Sequence, residues 1–518
     1  MSAVNDGSVN AVPGKQLMSH GDEASRAGTG DGRFLDSYRS LDVGGLTRVL
    51  EEQLATPADL IRSFRELHEA IDRNGPAINS VSQIREVVPE DDDGDRHGLL
   101  GGIPVLVKDC IDTTDGLLST CGSLALKDVR PYHQATVVDQ LLRAGARIVG
   151  KTNLSEWGNF RSNHGVSGWS AYGGLTRNPH ALDRSPGGSS SGSAAAVAAG
   201  LVPVAIGTET HGSVICPSAA CGVVGVKTTV GLISGDGVQP VGPSQDTVGV
   251  IARCVRDAAL ALAVVTAPDR GSPSDYLLAV EQGVHGLRIG VARTTSWGRH
   301  SGLDALAERA LSGLSARGAE IVDDADIPTA QELAGAWEGA EGRLLLSEFV
   351  PAVESFLRRR DGGPKTLTEL VAFNAEEPAE LRWFGQEMFE AALQADPVGS
   401  DAYRAAAAEL ARLSRHEGID LAMANSQADV LVAPTMPPAW KTDLVNGDPD
   451  GFASAAAAPA IAGYPAVTVP LGLVEFLPVG ITIMGSAWSE ATLLRVAGAV
   501  EDVMGRCPAP EFRPPSPG

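Results

Sequence analysis

Ser189 and Ser213 lie 24 positions apart, each in a glycine-rich loop, and a lysine closes an apolar run upstream of both. The first loop reads Ser185-Pro-Gly-Gly-Ser-Ser-Ser-Gly-Ser193, the second Gly207-Thr-Glu-Thr-His-Gly-Ser-Val-Ile-Cys-Pro217, and the lysine ends Gly102-Ile-Pro-Val-Leu-Val-Lys-Asp109. Two hydroxyls and one amine are enough to build a nucleophile, a proton relay and a base without any histidine. A lysine after a strand is commonly a solvated chain end. Here Val105, Leu106 and Val107 belong in a sheet core, and a lysine held there loses hydration, which favours the neutral amine that a general base requires.

The competing readings of these loops fail on context. A Gly-Ser-rich stretch can be a flexible linker, but this one runs directly into an alanine-rich helix, Ala194 to Gly200. Gly188 to Gly192 spells G-x-S-x-G around Ser190, yet a nucleophile elbow needs an apolar strand before it. Asn178-Pro-His-Ala-Leu-Asp-Arg-Ser-Pro186 is polar and twice broken by proline. Gly222-Val-Val-Gly-Val-Lys-Thr228 lacks the spacing of a phosphate loop. In the second loop, the consecutive N–H groups of Thr210, His211 and Gly212 can converge on one point beside the Ser213 hydroxyl, as an oxyanion hole requires. His211 invites a Ser-His pairing, but side chains two residues apart rarely face each other correctly and no Asp presents itself to orient the ring. Cys216 as a thiol nucleophile is disfavoured by the proline that follows it.

These loops must be positioned by the elements around them. The order loop, helix, strand, loop from residue 185 to 217, with a strand over Leu201–Ile206, can fold the two serine loops toward each other. Upstream, Thr56-Pro57-Ala58-Asp59 supplies a cap, a first-turn proline and an early acid, and Leu60, Phe64, Leu67 and Ile71 follow at helical spacing. Gly101–Val107 reads as a strand covered on both faces, Thr136–Ala144 as a helix stopped at Gly145, and Ala146–Val149 as the next strand. Such alternation predicts an α/β fold. Residues from about 328 to 428 read as a helical insertion or cap, after which strands at 429–433, 466–470 and 480–483 rejoin the core. The expected organisation is a disordered tail over 1–32, one domain over 33–507, and a loose proline-rich tail over 508–518.

Composition sets the outer bounds. A chain of 518 residues with 43% hydrophobic and 20% charged residues is globular. A formal charge of −23 argues against nucleic acid and anionic membranes as partners. The six cysteines form no C-x-x-C pair, which disfavours a structural zinc and suits reduced cytoplasmic thiols. Neither a secretory signal nor an apolar run of membrane-spanning length is present.

Taken together, Gly-Gly-Ser-Ser, then Gly-Thr-x-Thr-x-Gly-Ser about two dozen residues on, then Cys-Gly-Val-Val-Gly-Val-Lys227, resemble the amidase signature family. Gly150-Lys-Thr-Asn-Leu-Ser-Glu-Trp157, Ser167-Gly-Trp-Ser170, Thr176-Arg-Asn-Pro179, Ser244-Gln-Asp-Thr247, Ala433-Pro-Thr435 and Ala462-Gly-Tyr-Pro465 are similar to its bacterial peptide-amidase branch. The likeness runs from about residue 40 to 500.

That resemblance implies a central mixed β-sheet covered by helices on both faces. It also implies a triad in which Ser213 is the nucleophile, Ser189, after a cis peptide bond, the relay, and Lys108 the base. The oxyanion would rest on the N–H groups of Thr210, His211 and Gly212, and Asn159 falls in the segment that lines the acyl side. The implied activity is a metal-free, cofactor-free amidohydrolase of the cytoplasm that needs no protein partner. It would release ammonia from a carboxamide, first of all the C-terminal amide of a peptide. The alternatives are a biosynthetic acyl transferase, a glutamine-hydrolysing amidotransferase subunit, or a scaffold that has lost catalysis. The sequence departs from the family twice. Position 211 is His where Gly, or Asp in the peptide-amidase branch, is usual, and Ser191 replaces a common glycine.

Overall fold

The computed structural model describes residues 32–86, 98–267, 273–449 and 454–515. All but one residue of the expected N-terminal tail therefore lies outside the described residues. The core is an 11-stranded mixed sheet. In chain order its strands are β1 (Val81–Ile84), β2 (Pro104–Lys108), β3 (Arg147–Thr152), β4 (Val204–Glu209), β5 (Val224–Lys227) and β6 (Thr247–Ala252). They continue with β7 (Arg288–Val291), β8 (Glu320–Val322), β9 (Val430–Pro434), β10 (Ala466–Val474) and β11 (Leu477–Met484). Their spatial order is β1-β3-β2-β4-β6-β5-β10-β11-β9-β7-β8. Parallel pairing joins β2 to β3 and to β4, and β7 to β8 and β9, whereas the middle of the sheet is antiparallel. Strands β2, β4, β5, β6, β9 and β11 are buried along almost their whole length. That is why they read as continuous apolar runs rather than as alternating patterns.

The helices follow from local signals. α1 (Pro57–Leu67) starts on Thr56, whose side chain accepts from the Asp59 N–H while the Asp59 carboxylate accepts from the Thr56 N–H. Its Leu60, Phe64 and Leu67 face the core as their spacing predicts. α2 (Thr136–Arg143) leads through Gly145, at φ 83°, into β3. α3 (Ser191–Ala198) is buried on nearly every side, and its Gly, Ser and Ala residues let its axis come close to β2, β3 and β4. The tightest point is Gly192, whose N–H donates to Asn153 C=O at 3.0 Å. A Cβ there would overlap the Ser80 carbonyl and stand 2.5 Å from that of Asn153.

The stretch 330–426 is helical, with α5 (Ala340–Arg358) its longest element. Two buried ionic contacts fasten it to the core. Arg360 bonds Asp112, and Arg161 lies between Glu156 at 3.2 Å and Glu380 at 3.3 Å with its guanidinium over the Phe384 ring. Buried pairs of this kind add little net stability, but loss of either partner leaves an uncompensated buried charge. At the C-terminus, residues up to 515 do not hang free as expected. Phe512 N–H donates to Pro179 C=O at 3.1 Å and Leu182 N–H to Arg513 C=O at 2.9 Å, so backbone pairing with the 179–182 segment holds them. Among the described residues no helix is long and apolar enough to cross a membrane.

Gly192→Ala is expected to destabilise the fold by about 2 kcal/mol or more through backbone overlap. Gly235→Ala, where a Cβ meets nothing within 4 Å, is the matched control. Thermal denaturation of the two variants checks this, and equal melting temperatures would contradict it.

Candidate active site

β2 ends at Lys108 and its neighbour β4 ends at Thr208 and Glu209, so the parallel pairing brings the amine to the loop that carries Ser213. Lys108 is fully buried. Its Nζ donates to Ser189 Oγ at 2.7 Å and to Thr208 Oγ1 at 2.8 Å. Burial pushes the amine below its ordinary value, against the opposing influence of Cys110, Glu209, Cys121 and Asp246. Among the described residues two other lysines are fully buried, and their partners differ. Lys151 bonds the Ile111 carbonyl and Ser119 Oγ close to Asp109, and Lys227 donates to the carbonyls of Pro459 and Tyr464. The Ser189 hydroxyl that Lys108 bonds lines a cavity.

The Gly188–Ser189 peptide bond is cis. The loop around it is held tightly: Ser155 N–H donates to Ser189 C=O at 3.1 Å, and Ser190 N–H donates to Ser213 C=O at 3.0 Å. The second contact ties the two serine loops together. Ser190 is not available for attack, because its hydroxyl is buried and donates to Thr208 C=O at 3.0 Å. Ser191 likewise donates to Gly187 C=O at 2.6 Å, so its hydroxyl serves the loop's own backbone.

Ser213 sits in the turn between β4 and α4 (Ile215–Cys221). Glu209 sets this turn, its Oε2 accepting from the N–H groups of Val214 at 2.7 Å and Ile215 at 3.0 Å at the start of α4. Gly212, at φ 81°, makes the bend. The N–H groups of His211 and Gly212 find no acceptor among the described residues. Thr210 anchors the other side through its hydroxyl, which donates to Asp246 Oδ1 at 2.5 Å.

A cavity of about 300 Å³ opens over this turn and is walled by Ser189, Ser213, Thr210, His211 and Asn159 together with apolar groups. Asn159 follows Trp157 and Gly158 in a run of left-handed backbone (φ 52°, 71° and 68°), which turns this loop toward the cavity. Leu333, Trp337 and Leu345 of the helical stretch close the cavity from above, with Phe160 edge-on to Trp337. A second cavity of about 340 Å³ adjoins it, lined by Ser189 and Thr208 but not by Ser213. All the site residues expected from sequence thus come together around one cavity or its floor. Lys108 is hydrogen-bonded to Ser189, while no hydrogen bond joins Ser189 to Ser213 among the described residues.

Sequence reasoning missed Thr208, Asp246 and Glu341. Thr208 stands inside the second motif and could have been found as the hydroxyl two strand positions from the loop. Glu341 accepts from His211 Nδ1 at 2.7 Å across 130 residues of chain. It supplies the orienting carboxylate that no local residue offers, and nothing in the sequence near His211 signals it.

The Amidase family model matches residues 73–494 of this chain. The chain is similar to the native peptide amidase of Stenotrophomonas maltophilia, with 40% identity, a TM-score of 0.85, and coverage of 92% of this chain and 99% of that one. It is 38% identical over 442 residues to a glutamyl-tRNA(Gln) amidotransferase subunit of Anaeromyxobacter, covering 80% of this chain and 85% of the relative. It is 33% identical over 451 residues to a probable amidase of Arabidopsis thaliana, covering 84% and 83%.

Lys108→Met is expected to abolish proton uptake at the site without lowering stability at pH 7. The folded chain depresses the Lys108 pKa and the unfolded chain does not, so between the folded value and the ordinary 10.5 the unfolded state binds the extra proton and wild-type stability rises with pH. Thermal unfolding of both proteins at pH 7 and pH 10 checks this. The variant should hold its own at pH 7 and lose ground relative to wild type at pH 10.

Proposed function

The chain belongs to the amidase signature family and is a hydrolase of amide C–N bonds, and from that membership we propose that it releases ammonia from the C-terminal carboxamide of peptides through a Ser213 acyl-enzyme. The observation that carries this reading is the buried Lys108 amine, hydrogen-bonded to Ser189 in the wall of the cavity that also holds Ser213. The neutral amine takes a proton from Ser189 Oγ, which takes one from Ser213 Oγ as that oxygen bonds the carboxamide carbon. Negative charge gathering on the carbonyl oxygen meets the N–H groups of Thr210, His211 and Gly212. When the tetrahedral centre collapses, the C–N bond breaks and the proton returns from Lys108 through Ser189 to the departing nitrogen. Water, giving its proton to the same relay, then adds to the ester and frees the carboxylic acid and Ser213.

Choice of substrate rests on two supports. Similarity to a peptide amidase extends over 92% of this chain. The cavity over Ser213, with Phe160, Trp337, Leu333 and Leu345 in its wall, suits an apolar side chain on the acyl residue, and Asn159 offers an amide to its backbone. The adjoining cavity lies on the Ser189 side, where nitrogen leaves. In this reading the protein works in the cytoplasm without cofactor or partner. The second reading, glutamine hydrolysis within an amidotransferase, draws on the 38% identity to a glutamyl-tRNA(Gln) amidotransferase subunit.

The purified chain alone is expected to release ammonia from peptide amides and far less from free glutamine. Ser213→Ala should lower kcat/KM at least about a thousandfold. The rate should fall as pH drops below the folded pKa of Lys108, where the base becomes protonated. Undiminished turnover in Ser213→Ala would remove the mechanism, and turnover of glutamine alone, rising with added partner proteins, would favour the second reading.

A further inference from the structure

His211 stands beside the nucleophile, in the position where this chain departs from its family, and the mechanism uses only its backbone. Its imidazole is fixed from one side. Nδ1 meets Glu341 Oε1 at 2.7 Å, and the same oxygen accepts from Gln245 Nε2 at 2.9 Å. Glu341 has no exposed surface, and its other oxygen is buried without a partner. A carboxylate in that setting needs a positive group against it. The imidazole supplies one while about a third of its own side chain remains open, 32% against 0% for Glu341. Since Nδ1 faces a fully buried group, the open part is the opposite edge, which carries Nε2. His211 is also in the wall of the cavity over Ser213. With Nδ1–H donated to Glu341, the protonation state decides whether Nε2 is a donor (imidazolium) or an acceptor (neutral ring).

We infer that His211, oriented by Glu341, is a specificity residue whose Nε2–H donates to the carbonyl oxygen of the peptide bond preceding the scissile carboxamide. This rests on the peptide-amide reading and deepens it: the enzyme distinguishes a peptide amide from a simple acyl amide of the same shape. Glu341 is the positioning residue and His211 makes the contact. Two carboxylates act on the ring, Glu341 on α5 and Glu209 at the end of β4, while Asp246 before β6 bonds the hydroxyl of the neighbouring Thr210. Burial opposes the imidazolium, but the charge and hydrogen bond of Glu341, with Glu209 behind them, outweigh it and hold His211 above its ordinary value. Burial also works against the Glu341 carboxylate, and the charge and hydrogen bond of His211 together with the Gln245 hydrogen bond outweigh it, keeping that carboxyl below its ordinary value. The donor form is therefore complete at low pH and disappears as pH rises through the folded value of His211.

The test compares kcat/KM for N-acetylphenylalaninamide with that for 3-phenylpropanamide, which keeps the aromatic side chain and scissile amide but lacks the preceding peptide carbonyl. The full-length wild type should favour the first, and the ratio should decline with pH above the His211 pKa. His211→Gly and the isosteric Glu341→Gln should each lower the ratio about tenfold, mainly through KM for the peptide amide, as expected for one charge-assisted hydrogen bond. In Glu341→Gln the decline should also move to lower pH. His211→Gln, which keeps a neutral donor near the same point, should restore part of the ratio and make it independent of pH. A ratio that His211→Gly leaves within about twofold of wild type, or a wild-type ratio flat with pH, overturns the assignment. A wild type that prefers 3-phenylpropanamide before any substitution overturns the peptide-amide reading itself, and this inference falls with it.

Discussion

A lysine amine with no access to water, hydrogen-bonded to a serine at 2.7 Å, is the constraint around which this site is arranged. Removing an ammonium from water is costly, and hydroxyls rather than carboxylates at the amine leave that cost uncompensated, which favours the neutral form. Ser189 and Thr208 accept its hydrogen bonds, whereas the nearby acids are engaged elsewhere. Glu209 caps the turn before α4, and Asp246 accepts from Thr210, Val241 and Gly242. Had either acid bonded the amine directly, the charged form would be favoured and the base lost. Lys151, one strand away, bonds a carbonyl and a hydroxyl in the same way, and burial holds it below its ordinary value against the pull of Asp109 and Asp112.

From that constraint the architecture follows inward to outward. The amine must come from the end of a strand buried on both faces, so it comes from β2 inside the sheet. The serine loops must be close to the same sheet edge, which requires β4 to run parallel to β2 and the connecting helix α3 to lie flat on the sheet. Only small residues allow that approach, and Gly192 marks where no side chain fits. The helical stretch adds a lid of Leu333, Trp337 and Leu345 over the cavity, and its alignment depends on buried ionic contacts at Arg161 and Arg360. The chemistry thus belongs to the sheet, and the shape of the substrate space belongs largely to the helices packed on it.

Much of this was legible in the sequence because the relevant signals are local. The capping pattern at Thr56, the apolar run before Lys108, the small residues after Ser193 and the two serine loops all announce structure within a dozen residues. Strands β1, β5, β6, β7 and β8 were not anticipated. The six expected strands are present with ends within four residues of expectation, β10 running on to Val474 and β4 starting at Val204 rather than Leu201. Proline at 203 and the left-handed Gly200 hold that segment as a connection, with Leu201 and Val202 buried in it. The C-terminal tail was misjudged for a different reason. Its prolines suggested a loose end, but its backbone groups pair with a distant segment that composition does not reveal.

By itself the sequence determined the alternation of helix and strand, the three side chains able to form a nucleophile, relay and base, and the exclusion of Ser190 from that role. These depend on residue type, spacing and neighbours along the chain. Tertiary structure alone decided which hydroxyls meet the Lys108 amine, which helices close the cavity, and that His211 has a carboxylate partner in Glu341, 130 residues away. Such contacts join positions with no sequence relation, and their strength comes from burial, which only the packed chain creates.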